Sequence, residues 1–288
     1  MSVLKVALTK NPHPEFINDF PALAVSYSVL LFDIWGVVHN GIHALPGAVE
    51  TINQIPENKS VIFLSNMPRP GEMAREKLLS LGIERPFDIL TSGDVTRELL
   101  KTTYQGQNVY HLGSHRNTDI ERGLNLKLVD RVDKADVVLL TAFLEPHEDE
   151  NQYDTILKEI AIKQIPVLCA NPDKTAMNGN QIRKCAGTLA EKLQNQGGQV
   201  ILIGKPDPLI YQRIFQDFPL LKPHQMLMIG DTLETDIIGA NQVGIDSFLV
   251  LTGNTGIELQ AHNQTLVDYL QDKSFSTFNP KYYGQSLG

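Results

Sequence analysis

The sequence predicts an α/β architecture, a parallel-sheet core with a second α/β unit inserted into it. Three observations carry this expectation. Short runs rich in Val, Ile and Leu alternate with longer segments of helical periodicity, the pattern of strand-helix units. Several of the strand-like runs end directly in a polar residue or a Gly-polar pair. A middle stretch carries strand-helix alternation of its own. The core so described is a Rossmann-like fold.

In chain order, Val29–Phe32, Val61–Leu64, Val200–Ile203, Met226–Ile229 and Ser247–Leu251 read as the buried strands of the core. Four of them run into Asp33, Ser65, Gly204-Lys205 and Gly230-Asp231. Ligands of open parallel sheets bind outside the carboxyl ends of the strands, so these endings imply one shared site. Between the second and third runs, Val109–Leu112, Val137–Thr141 and Val167–Ala170 read as strands, with helices around Asp149–Lys163 and Gln181–Gln196. This inserted unit is assigned 93–198, and the core 1–92 plus 199–288, because Thr91-Ser92-Gly93 and Gly197-Gly198 read as flexible punctuation. Glu145, Glu148, Asp149 and Glu150 surround Pro146, and acids at such a position suit the first turn of a helix better than a metal site.

A length of 288 residues is ample for two domains at roughly 150 residues each. With 25 Lys and Arg against 33 Asp and Glu, the net charge is -8, which disfavours a nucleic-acid partner held through its phosphate backbone. Apolar residues at 42% and charged residues at 20% are ordinary for a folded chain. No apolar run approaches the roughly 18 to 20 residues that cross a bilayer, so no membrane partner is expected. Val6-Ala7-Leu8 is too short for the apolar region of a signal peptide, and a cytoplasmic location is expected. Cys169 and Cys185 are the only cysteines and read as reduced structural thiols.

The chemistry rests on Asp33, Ser65, Lys205, Asp231 and Asp236 at strand ends. Taken singly, an Asp after a strand is a common turn or cap residue and Gly-Lys-Pro a common loop. Together they are harder to dismiss, because three carboxylates in one site repel each other and any anion. A hard cation with oxygen ligands, Mg²⁺, resolves the repulsion. With that charge and Lys205 in place, Ser65 and nearby N–H groups can hold phosphate oxygens while a carboxylate attacks phosphorus.

At these residues the sequence resembles the haloacid dehalogenase superfamily, in particular its type IIA branch, which carries a large α/β cap inserted after the second motif. Phe32-Asp33-Ile34-Trp35-Gly36-Val37-Val38 is similar to the first motif, Leu64-Ser65-Asn66 to the second, Gly204-Lys205-Pro206 to the third and Gly230-Asp231-Thr232-Leu233-Glu234-Thr235-Asp236 to the fourth. Leu45-Pro46-Gly47-Ala48, Ser92-Gly93-Asp94 and Ala170-Asn171-Pro172-Asp173 extend the resemblance over nearly the full chain. It implies that Asp33 is both nucleophile and Mg²⁺ ligand, forming an aspartyl-phosphate. It makes Asp231 and the Trp35 carbonyl further ligands, with Asp236 acting beside them through metal-bound water. Ser65, the Asn66 backbone and Lys205 would hold the phosphoryl group. The cap would select a small phosphorylated metabolite, for instance a sugar phosphate, with Asn171 and Asp173 as candidate substrate contacts or ordinary turn residues.

The chain departs from the family pattern at Trp35, where phosphatases of the superfamily usually place the Asp that protonates the leaving group. An indole cannot act as that acid. His39 and His43 read first as loop histidines near Gly41 and Pro46, with His39 as the candidate surrogate. A catalytically weak relative that binds a phosphorylated ligand in a regulatory or assembly role is therefore the competing expectation. A phospho-accepting receiver module would be shorter, with its Asp after a later strand, and a dehalogenase would not need the three carboxylates. The sequence is compatible with a homodimer and does not determine the oligomeric state.

Overall fold

The computed structural model describes residues 13–113, 119–142, 144–145, 148–178, 181–272 and 279–288. The expectations that rest on Val6-Ala7-Leu8 and Pro146 lie outside these residues. Internal contacts divide the chain into two units, Met1–Leu64 with Glu76–Ile89 and Tyr211–Gly288, and Ser65–Arg75 with Leu90–Ile210.

The first unit is built on a seven-stranded sheet in the order Glu15–Phe16, Tyr282–Gly284, Asp246–Val250, Met226–Gly230, Val29–Phe32, Ser60–Ser65 and Asp88–Thr91. Val29–Phe32 is fully buried and pairs in parallel with Met226–Ile229 on one side and Ser60–Phe63 on the other. A strand covered on both faces has no polar face to present, hence its unbroken Val-Leu-Leu-Phe. The core beside it is aromatic. Phe20 meets Phe32 and Phe248 at 6.0 and 5.0 Å between ring centroids, and Phe63 meets Phe32 and Phe87 at 6.0 and 5.1 Å. The sequence reading missed Glu15–Phe16, Asp88–Thr91 and Tyr282–Gly284, short strands without an apolar run of their own.

The second unit holds a five-stranded sheet in the order Val200–Leu202, Val167–Cys169, Val137–Thr141, Asn108–Gly113 and Lys127–Val129. Val200–Leu202 corrects the expectation for Val200–Ile203. It pairs in parallel with Val167–Cys169 at the edge of this sheet instead of joining the core, and Ile201 is 40% exposed. The helix Ala186–Asn195 connects these two strands, so the local strand-helix-strand crossover supplies the partner. Gln181–Lys184 corrects another expectation. It is a strand antiparallel to Thr175–Asn178, and the helix expected from Gln181 begins only at Ala186. The sequence does carry a hairpin signal there, Asn178-Gly179.

Thr91-Ser92-Gly93 forms a helix start. The Thr91 side chain caps the helix Ser92–Thr102 in a reciprocal box with Asp94, and Thr91 and Ser92 are fully buried. A β-carbon on Gly93 would run into the Arg69 backbone. By internal contacts this helix lies within the second unit, in the segment Leu90–Ile210. Of the acids Glu145, Asp149 and Glu150, Asp149 caps the turn Glu150–Tyr153, accepting the Asn151 N–H at 3.0 Å, whereas Glu145 and Glu150 pair with Arg183 and Lys184. Among the described residues, no helix is long and apolar enough to cross a membrane.

Candidate active site

In the first unit, Asp33 follows the strand Val29–Phe32 and its N–H donates to the Ile229 carbonyl at 2.8 Å, extending the sheet by one step. Asp231 follows Met226–Gly230, and Asp236 lies in the π-helical turn Leu233–Ile237. The three are buried, and each offers a carboxylate oxygen within 4.8 Å of the others. At that separation each ionised pair repels by roughly 3 kcal/mol near a protein surface, and by more when buried. They are the one such acidic group among the described residues.

Their neighbours hold them there. Asp236 Oδ2 accepts the N–H groups of Asp231 and Thr232, each at 3.1 Å. Asp231 Oδ2 accepts the Asn254 N–H at 2.6 Å, and Asn254 Nδ2 donates to Thr232 Oγ1 at 2.9 Å. Glycine is required on two sides of Asp231: a β-carbon on Gly36, whose φ is +76°, or on Gly253 would run into its carboxylate. Thr252 Oγ1 donates to the Gly36 carbonyl at 2.6 Å and ties the two segments together. Gly36 and Thr232 entered the sequence reading only as motif positions, and Gly253 and Asn254 escaped it, although Thr252-Gly253-Asn254 stands just past a strand, as the four noted endings do.

Trp35 is half-buried, with its ring 5.1 Å from that of His39 in an edge-on contact. His39 is buried, and its Nδ1 accepts the Gly41 N–H at 2.9 Å. Burial, helped by the Lys77 charge, lowers its pKa to about 4. At neutral pH it is an uncharged imidazole with Nδ1 engaged in its own loop, a poor arrangement for the surrogate acid.

The second unit gathers Asn66, Asn171, Asp173 and Lys205. Asn66 Oδ1 accepts the Lys205 N–H at 2.7 Å, and Asn66 Nδ2 donates to the Lys205 carbonyl and to Asp173 Oδ1, each at 2.8 Å. Asn171 Oδ1 accepts the Asp173 N–H at 3.1 Å in a turn. Ser65 Oγ accepts the Met67 N–H at 3.2 Å. Asn66, of which the sequence reading used only the backbone, thus joins Lys205 to Asp173 through its side chain. Cys169 and Cys185 are free, buried thiols, with burial pushing the Cys169 pKa up to about 12 and that of Cys185 higher. His111 lies within the strand Asn108–Gly113, between Thr141 and Glu121 at 2.6 and 2.5 Å.

A family model for haloacid dehalogenase-like hydrolases matches residues 30–127, and one described as HAD-hydrolase-like matches residues 202–273. The sugar-phosphatase AraL of Bacillus subtilis (strain 168) is 30% identical over 237 residues, covering 80% of this chain and 85% of the relative. Chronophin of Rattus norvegicus is 29% identical over 244 residues, 80% and 78% of the two chains. The crystal structure of a haloacid dehalogenase-like hydrolase from Brucella suis 1330 superposes with a TM-score of 0.74 at 28% identity, covering 81% of this chain and 92% of that one.

Proposed function

Because the chain belongs to the haloacid dehalogenase-like hydrolases, we propose that it is a Mg²⁺-dependent phosphatase of a small phosphorylated metabolite, a sugar phosphate being the first class to test. The observation that carries this reading is the buried group Asp33, Asp231 and Asp236. Three carboxylate donors, held close by backbone N–H groups and two glycines, fit a hard divalent cation. Asp33 and Asp231 would hold it, with the Trp35 carbonyl, and when bound it offsets their repulsion and draws in a phosphate group.

In this proposal the Asp33 carboxylate attacks phosphorus. An O–P bond forms as the ester O–P bond breaks, and water later releases phosphate from the aspartyl-phosphate. Asp236 orients Asp231 through the N–H groups that it accepts. Ser65, Asn66 and Lys205 hold and neutralise the transferring group, and the inserted segment selects the substrate. No carboxylic acid stands at position 35, so the leaving alkoxide takes its proton from elsewhere and turnover depends on how much it needs one.

The test is phosphate release from a panel of sugar, nucleotide, cofactor and acyl phosphates, with Mg²⁺ and with chelator, and with Asp33→Asn as the blank. Metal-dependent release by the wild-type chain alone is the expected result. Phosphorylated ligands that bind but are not turned over on any member of the panel would favour the second reading, a catalytically weak relative, which Trp35 and the neutral His39 support.

A further inference from the structure

We propose that Asp173 is a positioning residue for Lys205, acting through the Asn66 side chain and not by touching substrate; this rests on the phosphatase reading above. Asn66 exchanges two hydrogen bonds with Lys205, accepting its N–H at 2.7 Å and donating to its carbonyl at 2.8 Å. These fix the backbone on both sides of the Lys205 α-carbon, and with it the direction from which the side chain departs. Nδ2 also donates to Asp173 Oδ1 at 2.8 Å. A carboxylate only accepts, so Asp173 admits the Asn66 amide in a single orientation, with Nδ2 towards itself and Oδ1 towards the Lys205 N–H.

Asp173 is itself immobilised. Its N–H donates to Asn171 Oδ1 at 3.1 Å and its carbonyl accepts the Gly187 N–H at 3.0 Å. A β-carbon on Gly187 would run into the Pro172 and Asp173 carbonyls, and one on Gly204 would run into Asn66 Oδ1. Three chain segments, 65–67, 171–173 and 204–205, therefore lock together. Asn66 and Lys205 are buried at 3% and 2% exposure, so bonds lost here are not replaced by bulk water. A lysine that neutralises a phosphoryl group works best when its direction is set beforehand.

The experiment compares wild type, Asp173→Ala, Asp173→Asn, Asn66→Ala and the double alanine variant. Binding of inorganic phosphate in the presence of Mg²⁺ is measured by calorimetry, and kcat and KM on p-nitrophenyl phosphate and glycerol phosphate. Asp173→Ala is expected to weaken phosphate binding and lower kcat/KM on both esters by the same factor, roughly 10- to 100-fold. Asp173→Asn, which keeps an acceptor oxygen, should recover most of the loss. The double variant should lose no more than Asn66→Ala alone.

A shift in relative KM between the two esters at unchanged phosphate affinity would overturn the proposal in favour of direct substrate contact. So would losses that multiply in the double variant. Should thermal melts show Asp173→Ala unfolded, Asp173→Ser is likewise too short to reach Asn66 and carries the same expectation. Wild-type binding and turnover that Asp173→Ala leaves intact would sink this inference alone, whereas a wild-type chain that neither binds phosphate nor hydrolyses any ester removes the phosphatase reading and this proposal together.

Discussion

Trp35 stands two residues past Asp33 with its ring against His39, where the proposed mechanism would place a general acid. Leaving groups that need no proton should therefore be favoured: aryl and acyl phosphates are expected to turn over much faster than alkyl phosphates, with a gap within the roughly 10² to 10⁴ range that a general acid contributes. Trp35→Asp should raise kcat/KM on alkyl phosphates more than on aryl ones; a folded variant with unchanged selectivity would show that position 35 is not where an acid was lost. His39 yields a prediction about stability. Its pKa is about 4 when folded against 6.5 for the free side chain, so between these values the unfolded chain binds more protons. Stability should rise with pH from 4 to 6.5 and fall on acidification, by on the order of 3 kcal/mol in total. In metal-free denaturant melts at pH 4.5 and 7, His39→Asn, which keeps an acceptor in place of Nδ1, should lose part of that dependence, and an identical pH response would contradict it. Gly36 is a third test at this scale: Gly36→Ala combines φ of +76° with a β-carbon pressed on Asp231, and it should destabilise the fold by about 1 to 2 kcal/mol or more and weaken the Mg²⁺ response of the melting temperature.

At the scale of elements, the helix Ser92–Thr102 begins with a cap whose residues are plain in the sequence, Thr91 followed three positions later by Asp94. Read as punctuation, the segment suggested flexibility. Its burial, and the 2.7 Å bond from Thr91 Oγ1 to the Arg69 carbonyl, make it a tightly held helix start. Thr91→Val removes the cap and that bond while conserving volume, and should cost about 1 to 2 kcal/mol in urea melts with an unchanged m-value. Val200–Leu202 shows the opposite difficulty. Its apolar residues are legible as a strand, yet the sheet that it joins depends on which free edge the preceding crossover reaches, and that is not written in the run itself.

For the whole molecule, the proposed metal-binding role of the carboxylate group sets function against stability. Asp33, Asp231 and Asp236 repel one another when no cation is bound, so Mg²⁺ should raise the melting temperature, with about 2.7 kcal/mol gained at a hundredfold excess over its Kd. Asp33→Asn should melt higher than wild type in chelator and gain much less from Mg²⁺. Equal melting temperatures for the wild-type chain in millimolar Mg²⁺ and in chelator would count against a metal site.

By itself the sequence determined the α/β class, most of the central strands and the acidic group Asp33, Asp231 and Asp236, because these depend on local quantities. Buried parallel strands must be continuously apolar, their carboxyl ends must turn, and Asp33, Ser65 and Asp231 stand directly at or just after such ends. Only the tertiary structure decided that Val200–Leu202 belongs to the second sheet, that Gly36 and Gly253 close on Asp231, and that the Asn66 side chain joins Asp173 to the Lys205 backbone. Each of these is a pairing between residues far apart in the chain. Side-chain periodicity records which face of an element is buried; it carries no record of what lies against that face, since any partner of the right shape and hydrogen-bonding capacity satisfies it equally.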